Sequence, residues 1–172
     1  MSARPYTGSL QPAPVSTSAA RDMGAFTFTS GGEWFGLPIS SVFSVFTVDA
    51  FTPVPMAPPE IVGLINLRGT IVTTVSMRQR LGLAREAKIC GALAVGLQHE
   101  GENYALVVDD VEDVIDLMPS QRLPMPANVD SSRNALTRQI YYLEDRILSV
   151  LDLSALMSFS SSTRPMAGLA SP

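Results

Sequence analysis

Two apolar, β-prone runs separated by Asn66-Leu67-Arg68-Gly69 limit what this chain can become. Ile61 to Ile65 leads into the tetrapeptide and Ile71 to Val75 leads out of it. The second run is β-branched throughout, which suits a pleated, buried strand. Glycine accepts positive φ at little steric cost, so Gly69-Thr70 is read as a tight reversal. The period then changes. Met77 and Leu81, with Arg78 and Arg80, fit one short helical turn that Gly82 stops. Strand, turn, strand and helical turn in so short a stretch predict a small, tightly curved β unit. Arg68 is the single charge between its two strands. It reads either as a surface charge after a strand or as a planar five-donor fork aimed at a specific carbonyl or carboxylate.

The flanking sequence repeats the β theme. Ala25 to Thr29 alternates with period two, Ser30-Gly31-Gly32 is a turn, and Glu33 to Leu37 returns as a strand ended by Pro38. A helical turn is expected around Ser40-Ser41, then a strand from Ser44 to Asp49. Four prolines make Phe51 to Pro59 a constrained loop. Lys88 to Gln98 reads as one long apolar strand, His99 to Asn103 as a hairpin tip, and Tyr104 to Asp109 as the return. Val111 to Leu117 continues as a strand with acidic residues between its apolar ones. Met118 to Arg133 is a long connection, Ala135 to Leu151 a last hairpin, and Asp152 caps a short helix over Leu153 to Ser158. Residues 1–21 are rich in Pro, Ser, Ala and Thr without apolar period, and 159–172 are similar, so both are expected to be disordered. The folded domain is then 22–158. Nine or ten short strands with almost no long helix predict small barrels, which manage their own edges. The length suits two side by side, with a break near Leu83 to Lys88.

Composition removes several functions. Formal net charge is −4 and Lys88 is the only lysine, so no nucleic-acid surface is expected. No apolar run reaches the roughly 18 residues that span a bilayer, so no direct membrane insertion is expected. The start of the chain has no secretory apolar region, and the cytoplasm is the expected compartment. One cysteine, Cys90, and one histidine, His99, build neither a disulfide nor a structural zinc site, and no cofactor is expected. Asp109, Asp110, Glu112, Asp113 and Asp116 form the sole dense cluster of catalytic side-chain types. They read as a solvated acidic edge. The competing reading is a metal-dependent hydrolase built on Asp109, Asp110 and Asp113.

The stretch Gly63, Ile65-Asn66-Leu67-Arg68-Gly69, Ile71-Val72, Val75, Arg78 and Leu81-Gly82 resembles the signature of the CheW-type coupling proteins of bacterial chemotaxis. Three more segments resemble that family in order: Ala25 to Leu37, Tyr104 to Val114 and Glu144 to Leu156. The resemblance implies a mainly β fold of two five-stranded SH3-like β-barrels packed side by side, with short helices. It implies a non-catalytic adaptor joining the regulatory domain of a CheA-type histidine kinase to the cytoplasmic tip of a methyl-accepting chemoreceptor. It further implies recruitment to membrane-associated chemoreceptor arrays. Carried over by position, the receptor groove is lined by Val42, Gly63, Arg68, Leu93, Ala94, Ala105 and Val111, and the kinase contact uses mainly the second barrel. Thr73 stands where the family usually has Pro, Ser76 where it usually has Asp, and Ser44-Val45 near a frequent Glu-Ile. These departures suit a diverged paralogue serving a non-flagellar chemosensory pathway as well as a standard coupler.

Overall fold

The computed structural model describes residues 23–128 and 131–159. Of the expected disordered arms, 1–21 and 160–172 lie outside the described residues, whereas Phe159, the first residue of the expected 159–172 tail, packs against the core. The strands are β1 Met23–Ser30, β2 Glu33–Pro38, β3 Val42–Thr47, β4 Ile61–Leu67, β5 Thr70–Ser76, β6 Leu93–His99, β7 Glu102–Val108, β8 Asp110–Leu117, β9 Arg122–Leu123, β10 Thr137–Leu143 and β11 Arg146–Leu151. Three short helices join them: α1 Met77–Arg80, α2 Ser131–Leu136 and α3 Leu153–Leu156.

The strands form two sheets. A six-stranded sheet runs β8-β1-β2-β11-β10-β9 and a five-stranded one β3-β6-β7-β5-β4. The sixth strand of the first is the two-residue β9, and neither hydrogen-bonded ladder closes on itself among the described residues. The first sheet is assembled from both ends of the chain, because β2 lies parallel to β11 with Trp34 opposite Leu148 and Gly36 opposite Val150. The second is contiguous in sequence, with β5 parallel to β7. The chain therefore passes between sheets after Pro38, through a 3-10 turn at Ile39–Ser41, and again at Asp109. The break expected near Leu83 to Lys88 falls inside the second sheet's own segment, between α1 and β6. Parallel partners more than a hundred residues apart leave no local trace in composition.

Each sheet contributes buried residues from both of its faces. One cluster joins the sheets, with Phe28, Leu37 and Leu151 from the first meeting Val95, Leu97 and Leu106 from the second. Phe28 and Phe35 stack in it at 5.6 Å between centroids. A second cluster, including Val48, Val62, Val72 and Val107, belongs to the five-stranded sheet alone. A third, around Trp34, Tyr141 and Leu148, belongs to the six-stranded one. Alternation along β7 explains the division: Ala105 and Val107 face the second sheet's own cluster, while Leu106 and Val108 face the other sheet. Each fully buried leucine contributes roughly 1.5–3 kcal/mol.

The long strand expected from Lys88 shortens to Leu93–His99. Residues 88–92 turn instead, held by hydrogen bonds from Gly91 N–H to the Val48 carbonyl and from Val48 N–H to the Ala92 carbonyl. Ile89 is buried there without being in a strand. The connection 118–133 contains a 3-10 turn at Pro119–Gln121, β9 and the start of α2. The last hairpin thus begins at Thr137, since Ala135 and Leu136 are helical.

Candidate functional site

The Asn66–Gly69 segment is a two-residue hairpin turn, with Leu67 opposite Thr70. Its central residues are Arg68 at φ 53° and Gly69 at φ 84°. The reversal is therefore one residue earlier than Gly69-Thr70. Positive φ at both central positions is what a type I′ turn requires, and its twist matches that of the flanking strands. Asn66 Oδ1 accepts a hydrogen bond from Gly69 N–H at 2.8 Å, which fixes the turn. Arg68 is thereby held out from the sheet end and is exposed.

Arg68 differs from most other arginines here. Arg78 and Arg146 are bidentate on Asp109 and Glu112. Arg80 donates to the Ala155 carbonyl, Arg85 to the Ile61 carbonyl, and Arg133 to Glu33. Arg68 has no such tie among the described residues. It stands between two hollows. One, of about 480 Å³, lies along Phe46 to Thr52 and Leu64 to Leu67. The other, of about 240 Å³, lies between Phe43, Ser44, Leu67, Thr70 and Asn103.

The seven positions read from sequence occupy three levels. Val42, Leu93 and Val111 are half-buried and pack against the cluster between the sheets. Ala94 and Ala105 are fully buried within the five-stranded sheet's own cluster. Gly63 is buried in β4, where a Cβ would lie 2.3 Å from the Thr52 carbonyl oxygen. Only Arg68 is fully at the surface. The three small residues set the shape beneath the surface, and Arg68 supplies the charge on it.

The carboxylates proposed for a hydrolase do not converge. Asp109 accepts both the Arg78 guanidinium, at 2.8 Å, and the Gly31 N–H at 2.9 Å. Asp110 accepts from the N–H of Val111 beside it. Asp113 is exposed, and its backbone carbonyl accepts from Thr27 Oγ1. Among the described residues no group of three or more His, Cys, Asp or Glu could hold a metal ion. β8 is an edge strand with Asp110, Glu112, Asp113 and Asp116 exposed, so the cluster is an acidic edge of the kind that deters stray pairing.

Asp109 ties three elements at the crossover between sheets: α1, the β1–β2 turn and the start of β8. Hydrogen bonding from Arg78 holds its carboxyl below the ordinary carboxylate value. A depressed folded pKa adds stability above the unfolded value, about 3.9, and that stability is lost as pH falls through the folded one. Asp109→Asn should therefore flatten the acid limb. Urea unfolding from pH 7 to pH 3 is expected to show a smaller loss of stability in the variant than in the parent. Equal slopes would mean that the pair is too exposed to matter.

Two of the departures from the family signature are structurally mild. Ser76 caps α1, accepting from Gln79 N–H at 3.2 Å as an aspartate would. Thr73 lies inside the sheet between Leu64 of β4 and Tyr104 of β7. On β3, Phe43 is 49% exposed and Val45 42%. The tie of Arg80 to Glu60 and to the Ala155 carbonyl left no signal in the sequence, since its partners are remote.

An untied cation thus stands beside two hollows on a β scaffold whose acidic groups are held apart. A model of the CheW-like domain matches residues 24–160, and the chain belongs to that family of non-catalytic scaffolds. It is similar to the chemotaxis protein CheW of Bacillus subtilis, at 27% identity over 135 residues, 78% of this chain and 86% of the relative. The chemotaxis protein CheW of Klebsiella aerogenes is 28% identical over 148 residues, 85% of this chain and 89% of the relative. The crystal structure of the scaffolding protein TtCheW from Thermoanaerobacter tengcongensis superposes with a TM-score of 0.71 at 25% identity, covering 83% of this chain and 95% of that one. The two sheets thus correspond to the two SH3-like units of the family. The chain is a chemotaxis adaptor.

Proposed function

We propose that this adaptor couples the cytoplasmic tip of a methyl-accepting chemoreceptor to the regulatory domain of a CheA-type histidine kinase. The observation that carries the reading is the untied Arg68, held at positive φ between two hollows in a CheW-like domain. A helical receptor tip would lay an apolar stripe along such a surface. Val42, Leu93 and Val111 would meet or support it, and Gly63, Ala94 and Ala105 would keep the strands beneath close together. The kinase would use the five-stranded sheet. The working place of such a protein is the cytoplasm, at receptor arrays, and among the described residues no helix is long and apolar enough to cross a membrane.

Size-exclusion chromatography with the kinase regulatory domain, and titration with a receptor-tip fragment, test the reading. Co-elution with the first and a dissociation constant well below about a millimolar for the second are expected. Separate elution and no saturable binding, with every component folded, would reject it. Arg68→Gly then separates binding from folding. Glycine suits φ 53°, so stability should stay within about 1 kcal/mol of the parent. Receptor-tip affinity should fall about tenfold or more, the worth of one charge-assisted contact. Normal binding by a folded Arg68→Gly would assign Arg68 to the turn alone.

A further inference from the structure

We propose that a hollow at one end of the six-stranded sheet, walled by Arg122 and Arg138, binds a small phosphate monoester. The hollow measures about 440 Å³, inside the roughly 300–1,000 Å³ range of small-molecule sites. It shares no residue with the two hollows beside Arg68, and every residue lining it lies on the first sheet. It therefore stands apart from the adaptor reading. Met23 of β1 and Arg122 of β9 border it together, although three strands separate β1 from β9 in the ladder. The sheet curls to bring them to one concave site.

Both arginines are placed by the backbone. Arg122 pairs with Tyr141 across β9 and β10, and Gln139 Nε2 donates at 2.9 Å to the carbonyl of Leu123 beside it. That clamp holds a strand of only two residues against the sheet. Arg138 is the extra residue of a bulge, because the register of β10 with β11 shifts between Thr137 and Gln139. A bulge leaves its extra residue unpaired and re-aims the side chain. Both arginines are exposed; Arg122 is engaged within the chain, whereas Arg138 has no partner among the described residues. No carboxylate lines the hollow, in a chain of net charge −4. The remaining wall is Met23, Pro38, Tyr141 and Val150, which gives a compact organic body an apolar bed. Two guanidinium forks on one rim suit phosphate better than carboxylate. A phosphate monoester carries about −1.5 to −2 charges at neutral pH and three acceptor oxygens, and planar forks meet such oxygens bidentately.

Calorimetric titration of the full chain with phenyl phosphate tests the proposal, with benzoate and phenol as companions. Phenyl phosphate should saturate with a dissociation constant below about a millimolar. Benzoate, with less charge and one acceptor oxygen fewer, should bind about tenfold more weakly, and phenol not at all. Arg138→Gln should weaken phenyl phosphate about tenfold or more, the worth of one charge-assisted contact. Its unliganded melting temperature should match the parent's, because Arg138 has no partner to lose. Lys88→Gln, an exposed cation outside the first sheet, should stay within about twofold of the parent. Phenyl phosphate should also raise the melting temperature of the parent and not that of Arg138→Gln. If Arg138→Gln does not fold, Arg138→Lys is read in its place; it keeps the charge, loses the fork and should bind at least about threefold more weakly. No saturable binding by the folded parent overturns the proposal. So does an equal loss in Lys88→Gln and Arg138→Gln, which would mark attraction to any open cation. Equal affinity for benzoate overturns the assignment to phosphate. Receptor-tip binding is read separately, so failure here leaves the adaptor reading as it stands.

Discussion

Gly63→Ala is expected to destabilise the protein by roughly 3 kcal/mol, and larger residues at that position should prevent folding. Gly63 has φ 153°, and its Cβ would lie 2.3 Å from the Thr52 carbonyl oxygen, 2.9 Å from the Thr52 carbonyl carbon and 3.1 Å from the Pro53 Cα. These are backbone atoms, so no side chain can swing aside. The same strand segment holds Thr52 by two hydrogen bonds of 2.8 Å, exchanged with Leu64. A methyl group must break that bridge or strain β4 where its register already shifts between Ile61 and Gly63. Losing two hydrogen bonds and adding backbone strain gives the figure. Urea unfolding checks it. A change under about 1 kcal/mol would show that Thr52-Pro53 moves away freely.

The second large effect is expected at Arg80. Its side chain is 11% exposed and its guanidinium lies 3.6 Å from Glu60, donates to the Ala155 carbonyl at 2.7 Å and sits over the Phe159 ring at 5.6 Å. Burial pulls its pKa down while Glu60 pulls it up, and an arginine stays charged under both. Arg80 thus stitches α1, in the second sheet's segment, to α3, which follows the first sheet's last strand. Arg80→Ala leaves the partly buried Glu60 without its cation and the Ala155 carbonyl without its donor, and should cost roughly 2 kcal/mol. Adding Glu60→Gln should recover about 1 kcal/mol, because the stranded charge is then removed. Strict additivity of the two substitutions would sink the idea that they act as a pair.

Local patterns in the sequence were good guides where the physics is local. Period-two alternation in Ala25 to Thr29, the Asp152 cap and the Gly82 stop all appear in the structure, and Asp152 accepts from Ala155 N–H at 2.9 Å. The hairpin at Arg68-Gly69 was displaced by one residue because a non-glycine at positive φ is unusual, and only the Asn66 side-chain bond explains it. Ile89 was read as strand because burial and strand share the same apolar signature. The site divides the same way. Arg68 was visible as a lone charge. That it stays untied while Arg78 and Arg80 do not depends on Asp109, Glu60 and Ala155, which only the fold brings near. The exposure of Phe43 leaves no trace in composition, because an apolar residue on an edge strand has the composition of a buried one.

The pairing of β2 with β11 has a consequence for incomplete chains. Trp34 and Phe35 sit on a strand whose second neighbour is made of Leu148 to Val150. Until those residues have been synthesised, that side of β2 is an open row of amides and carbonyls next to two large aromatic rings. The five-stranded sheet carries no such debt, since all its strands lie between Val42 and Val108. A nascent or prematurely terminated chain therefore presents a ready template for stray strand addition at its N-terminal hairpin. The last hairpin closes that row by covering the second side of β2.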